Sequence, residues 1–367
     1  MASDNPLVRL GALGQSPWYD FITRELIATG ELRALISNDG LLGMTSNPTI
    51  FEKAIAGSAD YDDDIRRLAA EGRDAEEIFE ALAIADVRAA CDAFQPVYAK
   101  SGGADGLVSL EVSPTLARDA AATEAAARRL WAAVARPNLM IKIPGTVEGL
   151  GAIERCIADG INVNVTLLFS VTRHEAVMEA YLRGLERRAA AGQPLDHVAS
   201  VASFFVSRVD TKVDPMLEAA GRADLRGTIA IANACQAYAA FERVFQGPRW
   251  AKLAARGARV QRPLWASTST KDPALPDVYY VEALIAPQTV NTLPPETFVA
   301  YRDHGDPAVR IAVGTATAAA RLEALAGAGI SLERVTQELE TEGVDKFAAS
   351  FRSLLSGIDA KAGALAS

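Results

Sequence analysis

The sequence predicts an α/β fold, a (β/α)8 TIM barrel with additional helices. Short β-like segments alternate with long Ala-, Glu- and Arg-rich stretches of helical period, which is the pattern of βα units around a parallel sheet. A length of 367 residues suits either one large barrel or two ordinary domains. Because no low-complexity linker or block of like charge divides the chain, we expect residues 1–367 to form a single domain.

Eight segments are predicted as the strands of this barrel. The clearest five are Gly106–Val112, Leu139–Ile143, Ile161–Leu168, Val198–Phe205 and Pro263–Ser267. Three weaker strands are expected near Ser16–Tyr19, near Leu41–Ser46 and within Tyr279–Ala286.

The segments between the strands have the apolar spacing of helices. They are Ala75–Lys100, Thr115–Ala135, Val147–Asp159, Val171–Ala190, Thr228–Arg256 and Pro307–Leu325. A last long segment, Ser331–Leu355, carries apolar residues at near-helical spacing, such as Leu332, Val335 and Leu339. We expect this C-terminal helix to pack on the barrel.

The charge balance argues against two classes of partner. Half of the residues are apolar and 23% are charged, which is typical of a globular protein. A net charge of −9 argues against nucleic acid, because its binding depends on clustered Lys and Arg. We also expect no membrane partner, because no run approaches the ~20 apolar residues of a span and the first residues lack an export signal.

Cysteine and histidine are scattered along the chain. The cysteines are Cys91, Cys156 and Cys235, and the histidines are His174, His197 and His304. This spacing favours neither disulfides nor a metal site, and we expect a cytoplasmic protein without a bound metal. The sequence is compatible with a homo-oligomer and specifies no interface for one.

One predicted strand is polar at every second position. In Ile161-Asn162-Val163-Asn164-Val165-Thr166 the side chains of Asn162, Asn164 and Thr166 share one face, because strand residues alternate with period two. The other face is apolar and suits packing against helices. We therefore expect the polar face to line the barrel interior.

The same alternation directs two charged residues inward. It places Ser109 and Glu111 on the inner face of one strand and Lys142 on the inner face of the next. A later strand adds Ser203 and Phe205, with Arg208 just beyond its end. All of these lie near the carboxyl ends of strands, where such barrels build their active sites. A purely structural Lys142–Glu111 ion pair is the alternative for these two residues taken alone.

An inward lysine has a specific chemical use. Its amine can attack a carbonyl carbon and form a Schiff base, an electron sink for carbon–carbon cleavage. Proton transfer at the carbinolamine suits Glu111 and the Thr166 hydroxyl, acting through a bound water. Burial favours the neutral amine of Lys142 and a neighbouring carboxylate favours the cation, so the protonation state stays open. Cleavage also needs a second carboxylate near the aldol hydroxyl.

Three segments of the chain resemble the transaldolases. Residues 43–51, Gly-Met-Thr-Ser-Asn-Pro-Thr-Ile-Phe, are similar to the first signature of that family. Residues 139–150, around Lys142, are similar to the second signature, and residues 161–170 resemble the strand that follows it. Order and spacing fit over most of the chain, which is longer than the fructose-6-phosphate aldolases of the same superfamily.

The resemblance implies catalytic roles for four residues. Lys142 corresponds to the Schiff-base nucleophile, while Glu111 and Thr166 manage the catalytic water. Asp20 corresponds to the acid/base at the hydroxyl of the cleaved carbon. Asp20 has an alternative role as the N-cap of a helix from Phe21 onward.

The resemblance also implies a set of substrate contacts. Asn47 and Ser203 hold substrate hydroxyls, and Asn47 before Pro48 suits a helix N-cap as well. The remaining expected contacts with the sugar are Thr45, Asn164 and Phe205.

The expected phosphate site has one residue that matches the family pattern and one position that departs from it. Arg208 matches a phosphate-binding arginine of the family. Many relatives carry a second arginine after the seventh strand, where this chain has Ser269. We expect Ser267 to contact substrate and Lys271 to replace that arginine in part, the alternative for Lys271 being a solvated surface lysine.

The activity implied by the resemblance is a cofactor-free transferase reaction of the non-oxidative pentose phosphate pathway. A dihydroxyacetone unit would pass from sedoheptulose 7-phosphate or fructose 6-phosphate to glyceraldehyde 3-phosphate or erythrose 4-phosphate. Two alternatives stay open from the sequence: an aldolase that releases free dihydroxyacetone, and a non-catalytic barrel that binds sugar phosphates.

Overall fold

Parallel strands pair in chain order and close into a barrel in the computed structural model, which describes residues 4–366. The strands are β1 Gln15–Tyr19, β2 Gly43–Met44, β3 Leu107–Glu111, β4 Leu139–Pro144, β5 Val163–Leu168, β6 Ser200–Phe205, β7 Gln261–Ala266 and β8 Thr289–Leu293. Pairing of β8 with β1 completes the ring. The predicted TIM barrel is confirmed.

Helices alternate with the strands, and further helices are added to the basic pattern. They are α1 Pro6–Ala12, α2 Arg24–Ala28, α3 Glu31–Asn38, α4 Pro48–Ala56, α5 Asp62–Ala70, α6 Ala75–Lys100, α7 Ala120–Val134, α8 Gly149–Asp159, α9 Val171–Ala190, α10 Ser207–Ala219, α11 Ile229–Phe245, α12 Pro248–Ala254, α13 Tyr279–Ala283, α14 Pro295–His304, α15 Ile311–Gly327 and α16 Leu332–Ala366. No helix in the described part of the chain is both long enough and apolar enough to cross a membrane.

The strands are buried on both faces, as the apolar runs in their sequences require. All residues of β3, β4, β5 and β6 are buried. The bulky side chains Trp18, Trp265 and Phe204 are fully enclosed around the barrel. The polar side chains that remain inside are therefore held in fixed positions by close packing.

The prediction of the eighth strand is wrong in position. The segment Tyr279–Ala286 contains the short helix α13, and the strand lies at Thr289–Leu293. Aromatic residues give α13 a β-like composition, but they make contacts outside the sheet. The Tyr280 hydroxyl, for example, donates a hydrogen bond to Asp210 at 2.9 Å. The true strand was masked by its polar residues, among them Asn291, which is buried and accepts a hydrogen bond from Thr268.

Further boundaries differ from the prediction, among them that of the helix predicted over Pro307–Leu325, which is α15 at Ile311–Gly327. The helix predicted over Thr228–Arg256 divides into α11 and α12 at Pro248, whose nitrogen cannot continue a helical hydrogen-bond ladder. Helix α7 begins at Ala120 because Asp119 caps it by accepting from the Ala122 amide. Strand β2 has only two ladder residues.

The C-terminal helix α16 is longer than its sequence pattern indicates and packs against α4. The Thr49 hydroxyl donates to Ser350 at 2.9 Å, and the Lys361 ammonium donates to the Ile55 carbonyl at 3.1 Å. Phe347 and Phe351 are buried on the inner face of α16. The helix thereby brings residues from the end of the chain to the carboxyl ends of the strands.

The packing of strand β2 requires glycine at position 43. A Cβ atom at this position would lie 2.5 Å from the Trp18 indole, which is itself fully buried. We expect Gly43→Ala to lower the free energy of unfolding by about 1–3 kcal/mol, the usual cost of overpacking a core. Urea unfolding followed by circular dichroism measures the loss.

Gly357→Ala is the matched control for this substitution. Gly357 lies in α16 with no neighbouring heavy atom near its missing Cβ. Alanine should stabilise this exposed helical position by about 0.5–1 kcal/mol. Equal effects of the two substitutions would contradict the steric argument.

Candidate active site

A cavity of about 430 Å³ opens at the carboxyl ends of the strands. It is lined by ten of the residues that the sequence predicts as site residues: Asp20, Thr45, Asn47, Lys142, Thr166, Ser203, Phe205, Arg208, Ser267 and Lys271. The two other predicted residues, Glu111 and Asn164, do not line this cavity but are buried directly beside it. The predicted set is therefore assembled in one place.

Lys142 and Glu111 form a buried ion pair. They occupy paired positions on β4 and β3, and Lys142 Nζ lies 3.0 Å from Glu111 Oε2. The ammonium also donates to the Ser46 carbonyl at 3.1 Å. Burial raises the pKa of Glu111, and the neighbouring Lys142 partly opposes this rise. The two groups are close enough for a proton to pass between them.

Asp20 follows β1 and faces the same cavity. Its Oδ1 accepts a hydrogen bond from the Thr45 hydroxyl at 2.6 Å, and Thr292 lies 2.6 Å from that hydroxyl in turn. Burial raises the pKa of Asp20, whereas Lys142 and the bond from Thr45 lower it. The alternative role of Asp20 as an N-cap is wrong, because α2 begins at Arg24 and is capped by Thr23.

An irregularity in β5 adjoins Thr166, two residues before the strand ends. The register between β5 and β6 shifts between Val165 and Leu168, and Leu167 adopts a left-handed backbone with φ of 61°. Such conformations are uncommon for branched residues and often mark functional sites. The Thr166 hydroxyl is buried, and it has no hydrogen-bond partner among the residues that the structure describes. This leaves it available to a water or a substrate.

The remaining inward residues of β3, β5 and β6 bond to one another. The Asn164 amide donates to Ser109 at 3.0 Å and accepts from the Ser203 hydroxyl at 2.7 Å. Asn162, which was predicted on the same polar face, instead links the beginnings of β4 and β6: its amide nitrogen donates to the carbonyls of Pro137 and Leu139, and its amide oxygen accepts from the Ala199 amide. Asn164 thus fixes the hydroxyl of Ser203 at the cavity wall.

Asn47 combines the two roles expected of it by position. Its side chain caps α4 by accepting from the Ile50 amide at 3.0 Å, and Pro48 is the first helical residue. Asn47 also lines the cavity. Capping uses the amide oxygen and leaves the amide nitrogen for a ligand.

The opposite part of the cavity, beyond β6 and β7, is cationic. The Arg208 guanidinium lies 4.9 Å from the centre of the Phe205 ring and 6.0 Å from that of Phe347. Ser267 has a left-handed backbone with φ of 56° and lies 3.0 Å from the Ser207 hydroxyl. Lys271 is exposed but faces the cavity. These residues together can hold an anionic group.

Several cavity residues were missed by sequence reasoning. They include Lys53, Thr292, Glu296, Lys346 and Phe347. Lys53 lies two residues beyond the first signature and could have been noticed there, whereas Thr292 lies on the misplaced strand. Nothing in the sequence indicates that Lys346 and Phe347, which lie on α16, reach the site. The centre of the Phe347 ring lies 5.7 Å from Lys142 Nζ, and the ring shields this amine.

No metal centre is apparent in the described part of the chain. Within residues 4–366 there is no group of three or more His, Cys, Asp or Glu that could hold an ion. His174 is fully buried between helices and strands, with its pKa lowered to about 4 by burial. His304 lies at the surface beside Asp277 and Asp303.

Comparisons with known proteins agree with this site. Residues 17–358 match the family model of transaldolase/fructose-6-phosphate aldolase. The transaldolase of Acidothermus cellulolyticus is 54% identical over 359 residues, covering 96% of both chains, and that of a Parafrankia species is 51% identical over 99% of both. Transaldolase 2 of a Nostoc species is 47% identical over 97% of both.

The chain belongs to the transaldolase/fructose-6-phosphate aldolase family, within which its function is that of a transaldolase, a transferase.

From the Lys142–Glu111 ion pair we predict that the stability of the Lys142→Met variant falls as the pH rises toward neutrality. Lys142→Met removes the cation that lowers the pKa of Glu111, so that pKa rises further. When the pKa of a carboxyl group in the folded protein exceeds its unfolded value of about 4.3, the protein loses stability as the pH rises from about 4.3 to the folded pKa. We expect the free energy of unfolding of Lys142→Met, relative to the unsubstituted protein, to fall from about pH 4.3 toward neutrality. Urea unfolding at a series of pH values measures it.

The double variant Lys142→Met/Glu111→Gln is the control. It has no buried carboxylate at this position, so its difference from the unsubstituted protein should lack this fall. The same slope in both variants would show that another group is responsible.

Proposed function

We propose that this enzyme transfers a dihydroxyacetone unit from sedoheptulose 7-phosphate or fructose 6-phosphate to glyceraldehyde 3-phosphate or erythrose 4-phosphate. This is the transaldolase step of the non-oxidative pentose phosphate pathway. The observation that carries the proposal is the position of Lys142. This residue lines the substrate cavity, and Glu111 contacts its ammonium from the neighbouring strand. A nucleophile with an adjacent proton acceptor is the arrangement that Schiff-base catalysis needs.

The first half of the reaction begins at Lys142. After the ammonium gives a proton to Glu111, the amine attacks the C2 carbonyl of the donor and forms a carbinolamine. Glu111 and the Thr166 hydroxyl then pass protons through a water as that intermediate loses water to give the Schiff base. The free Thr166 hydroxyl and the raised pKa of Glu111 support these roles.

Asp20 serves the carbon–carbon bond. Its carboxylate takes the proton from the C4 hydroxyl while the C3–C4 bond breaks, and the electrons of that bond are held by the Schiff base as an enamine. The aldose product leaves, and the acceptor aldehyde is attacked by the enamine as Asp20 returns its proton. Thr45 holds the carboxylate by donating to it at 2.6 Å.

Other residues orient the sugar chain. Asn47 and Ser203 bind hydroxyls of the dihydroxyacetone unit, with Asn164 positioning Ser203 through the bond at 2.7 Å. Phe205 closes the wall beside Arg208. We place Thr45 at the same end of the cavity through its bond to Asp20.

The phosphate group binds beyond β6 and β7. Arg208 can hold two phosphate oxygens at once, because a guanidinium presents a planar pair of donors. Ser267 and Lys271 line the same part of the cavity. We assign the anionic end of both donor and acceptor to this group of residues.

The proposed reaction needs neither a cofactor nor a metal, because the Schiff base itself accepts the electron pair. A cytoplasmic location fits the three cysteines, which are buried and unpaired. The single-domain organisation and a homo-oligomeric state stay predictions. Size-exclusion chromatography with light scattering measures the latter.

Borohydride trapping tests the nucleophile. With fructose 6-phosphate as donor, reduction should fix a dihydroxyacetone-derived adduct on Lys142, which peptide mass spectrometry locates. Lys142→Ala should abolish the adduct. An adduct on Lys212 or Lys271 would show that the nucleophile is wrongly assigned.

Assays with fructose 6-phosphate also distinguish group transfer from the two alternatives, an aldolase and a non-catalytic barrel. A transaldolase turns over only when an acceptor aldose phosphate is supplied. Release of free dihydroxyacetone without acceptor would identify an aldolase, and the absence of any adduct or turnover would identify a non-catalytic binding barrel.

The phosphate assignment predicts selective losses. Arg208→Lys should raise the KM of phosphorylated donors by about 10- to 100-fold, which is the loss of a charge-assisted hydrogen bond of roughly 1.5–3 kcal/mol. Lys271→Ala should raise it less, because Lys271 is exposed. Steady-state kinetics on fructose 6-phosphate measures both effects.

Unphosphorylated fructose is the control substrate. Its kinetics should be nearly unchanged in both variants, since it has no group for these cations to bind. Equal losses on the two donors would mean that neither residue reads the phosphate.

A further inference from the structure

Phe347 is brought close to the proposed nucleophile by the C-terminal helix. It lies on α16, lines the substrate cavity and is only 4% exposed. The centre of its ring lies 5.7 Å from Lys142 Nζ and 6.0 Å from the guanidinium carbon of Arg208. A buried apolar ring is thus close both to the amine and to the cationic end of the cavity.

The packing of α16 fixes the position of this ring. One turn before Phe347, Gly343 is buried, and a Cβ atom there would lie 3.0 Å from the Leu167 side chain in β5. One turn after it, Ser350 accepts a hydrogen bond from the Thr49 hydroxyl of α4 at 2.9 Å. Residues three and four positions apart share one face of a helix. The ring is therefore held between two packing contacts of α16.

The proposed reaction has an intermediate with two possible fates. After the aldose product leaves, the dihydroxyacetone unit stays on Lys142 as an enamine, and its C3 carries the electron pair of the broken C3–C4 bond. In transfer, C3 attacks the aldehyde carbon of the acceptor, and Asp20 gives its proton to the new hydroxyl.

In release, C3 takes a proton from water instead, and the hydroxide left behind takes the proton held by Asp20. A second water then adds to C2 of the iminium, and the C2–N bond breaks. Free dihydroxyacetone leaves, and Lys142 returns to its ammonium form. The matched family combines transaldolase and fructose-6-phosphate aldolase, two activities that differ in the fate of this intermediate.

Release requires water beside C3. This carbon is two bonds from Lys142 Nζ, so the dihydroxyacetone unit lies in the part of the cavity that Phe347 borders. The ring takes up space that water would otherwise fill and offers water no hydrogen-bonding atom. Excluding water from a closed site prevents the hydrolysis of reactive intermediates.

We propose that Phe347 determines reaction specificity by keeping water away from C3 of the enamine, so that the dihydroxyacetone unit is transferred and not released. The proposal rests on the proposed function and adds to it a residue from the far end of the chain. The ring acts by its position and its apolar surface and takes no part in proton transfer.

The rate of release without an acceptor tests this role. Fructose 6-phosphate is the donor, a dehydrogenase added in excess removes glyceraldehyde 3-phosphate, and free dihydroxyacetone is measured by enzymatic reduction. The rate is divided by the fraction of enzyme that borohydride traps, which corrects for any change in donor binding at Arg208. Phe347→Ala should raise this rate constant by about tenfold or more, because water then reaches C3. General damage to the fold would lower rates and could not produce this gain.

Phe351→Ala is the matched control. Phe351 lies one turn further along α16, is 3% exposed and does not line the substrate cavity, so its loss should leave the release rate constant unchanged. Phe347→Leu keeps an apolar side chain over part of the same space and should raise release less than Phe347→Ala. If an alanine variant does not fold, which thermal unfolding shows, Phe347→Leu and Phe351→Leu give the same comparison with smaller losses of core volume.

The outcomes separate this proposal from the proposed function. Phe347 variants that still form the adduct but release dihydroxyacetone no faster than the unsubstituted protein would overturn the role of the ring. Equal gains in the Phe347 and Phe351 variants would also overturn it, because the cause would then be a loosening of α16. Absence of an adduct on Lys142 in the unsubstituted protein would instead refute the proposed function.

Discussion

The site depends on the buried ion pair between Lys142 and Glu111. Two opposite charges, each almost completely enclosed, occupy paired positions on neighbouring strands and are 3.0 Å apart. Removing both from water costs several kcal/mol per charge, which mutual attraction offsets only when the geometry is favourable. The barrel brings the two charges together, because the closed strand ring fixes the register of β3 and β4. The same desolvation raises the pKa of Glu111 and makes the pair chemically useful.

The substrate cavity arranges its other groups around this pair. Thr166, Asp20 and the cationic end with Arg208 all line the cavity that Lys142 lines. Groups that can bind a sugar and groups that can move protons are thus arranged around one amine. A chain with a net charge of −9 can bind an anionic sugar in this way, because five cationic side chains line the cavity and only two carboxylates do.

The α16 helix completes the site from the far end of the chain. Phe347 lies between Lys142 and Arg208, at 5.7 Å and 6.0 Å from their charged groups, and shields both from solvent. The helix is held in place by contacts with α4, whose N-cap is Asn47, a residue that lines the cavity. The two helices therefore couple the position of the C-terminal segment to the first signature.

Much of the fold and the site could be predicted from local pattern. The period-two polarity of residues 161–166 indicated an inward polar face, which is confirmed for Asn164 and Thr166, and the Gly-Met-Thr-Ser-Asn-Pro segment indicated the position of Asn47. Strand β8 was misplaced because Thr289-Val-Asn-Thr-Leu has two adjacent polar residues, so it shows neither strict alternation nor an apolar run, and it lacks aromatic residues. Its polar side chains are satisfied inside the barrel by partners remote in sequence, such as Thr268 for Asn291.

The sequence by itself determined the barrel, the inward direction of Lys142 and Glu111, and the family, because strand alternation and short signatures are local properties. Only the tertiary structure decided that Phe347 and Lys346 border the cavity and that Asp20 is held by Thr45 rather than capping a helix. These facts depend on how helix α16 and the segments after β1 and β2 pack around the strands. Such packing joins residues hundreds of positions apart, and no periodicity along the chain records it.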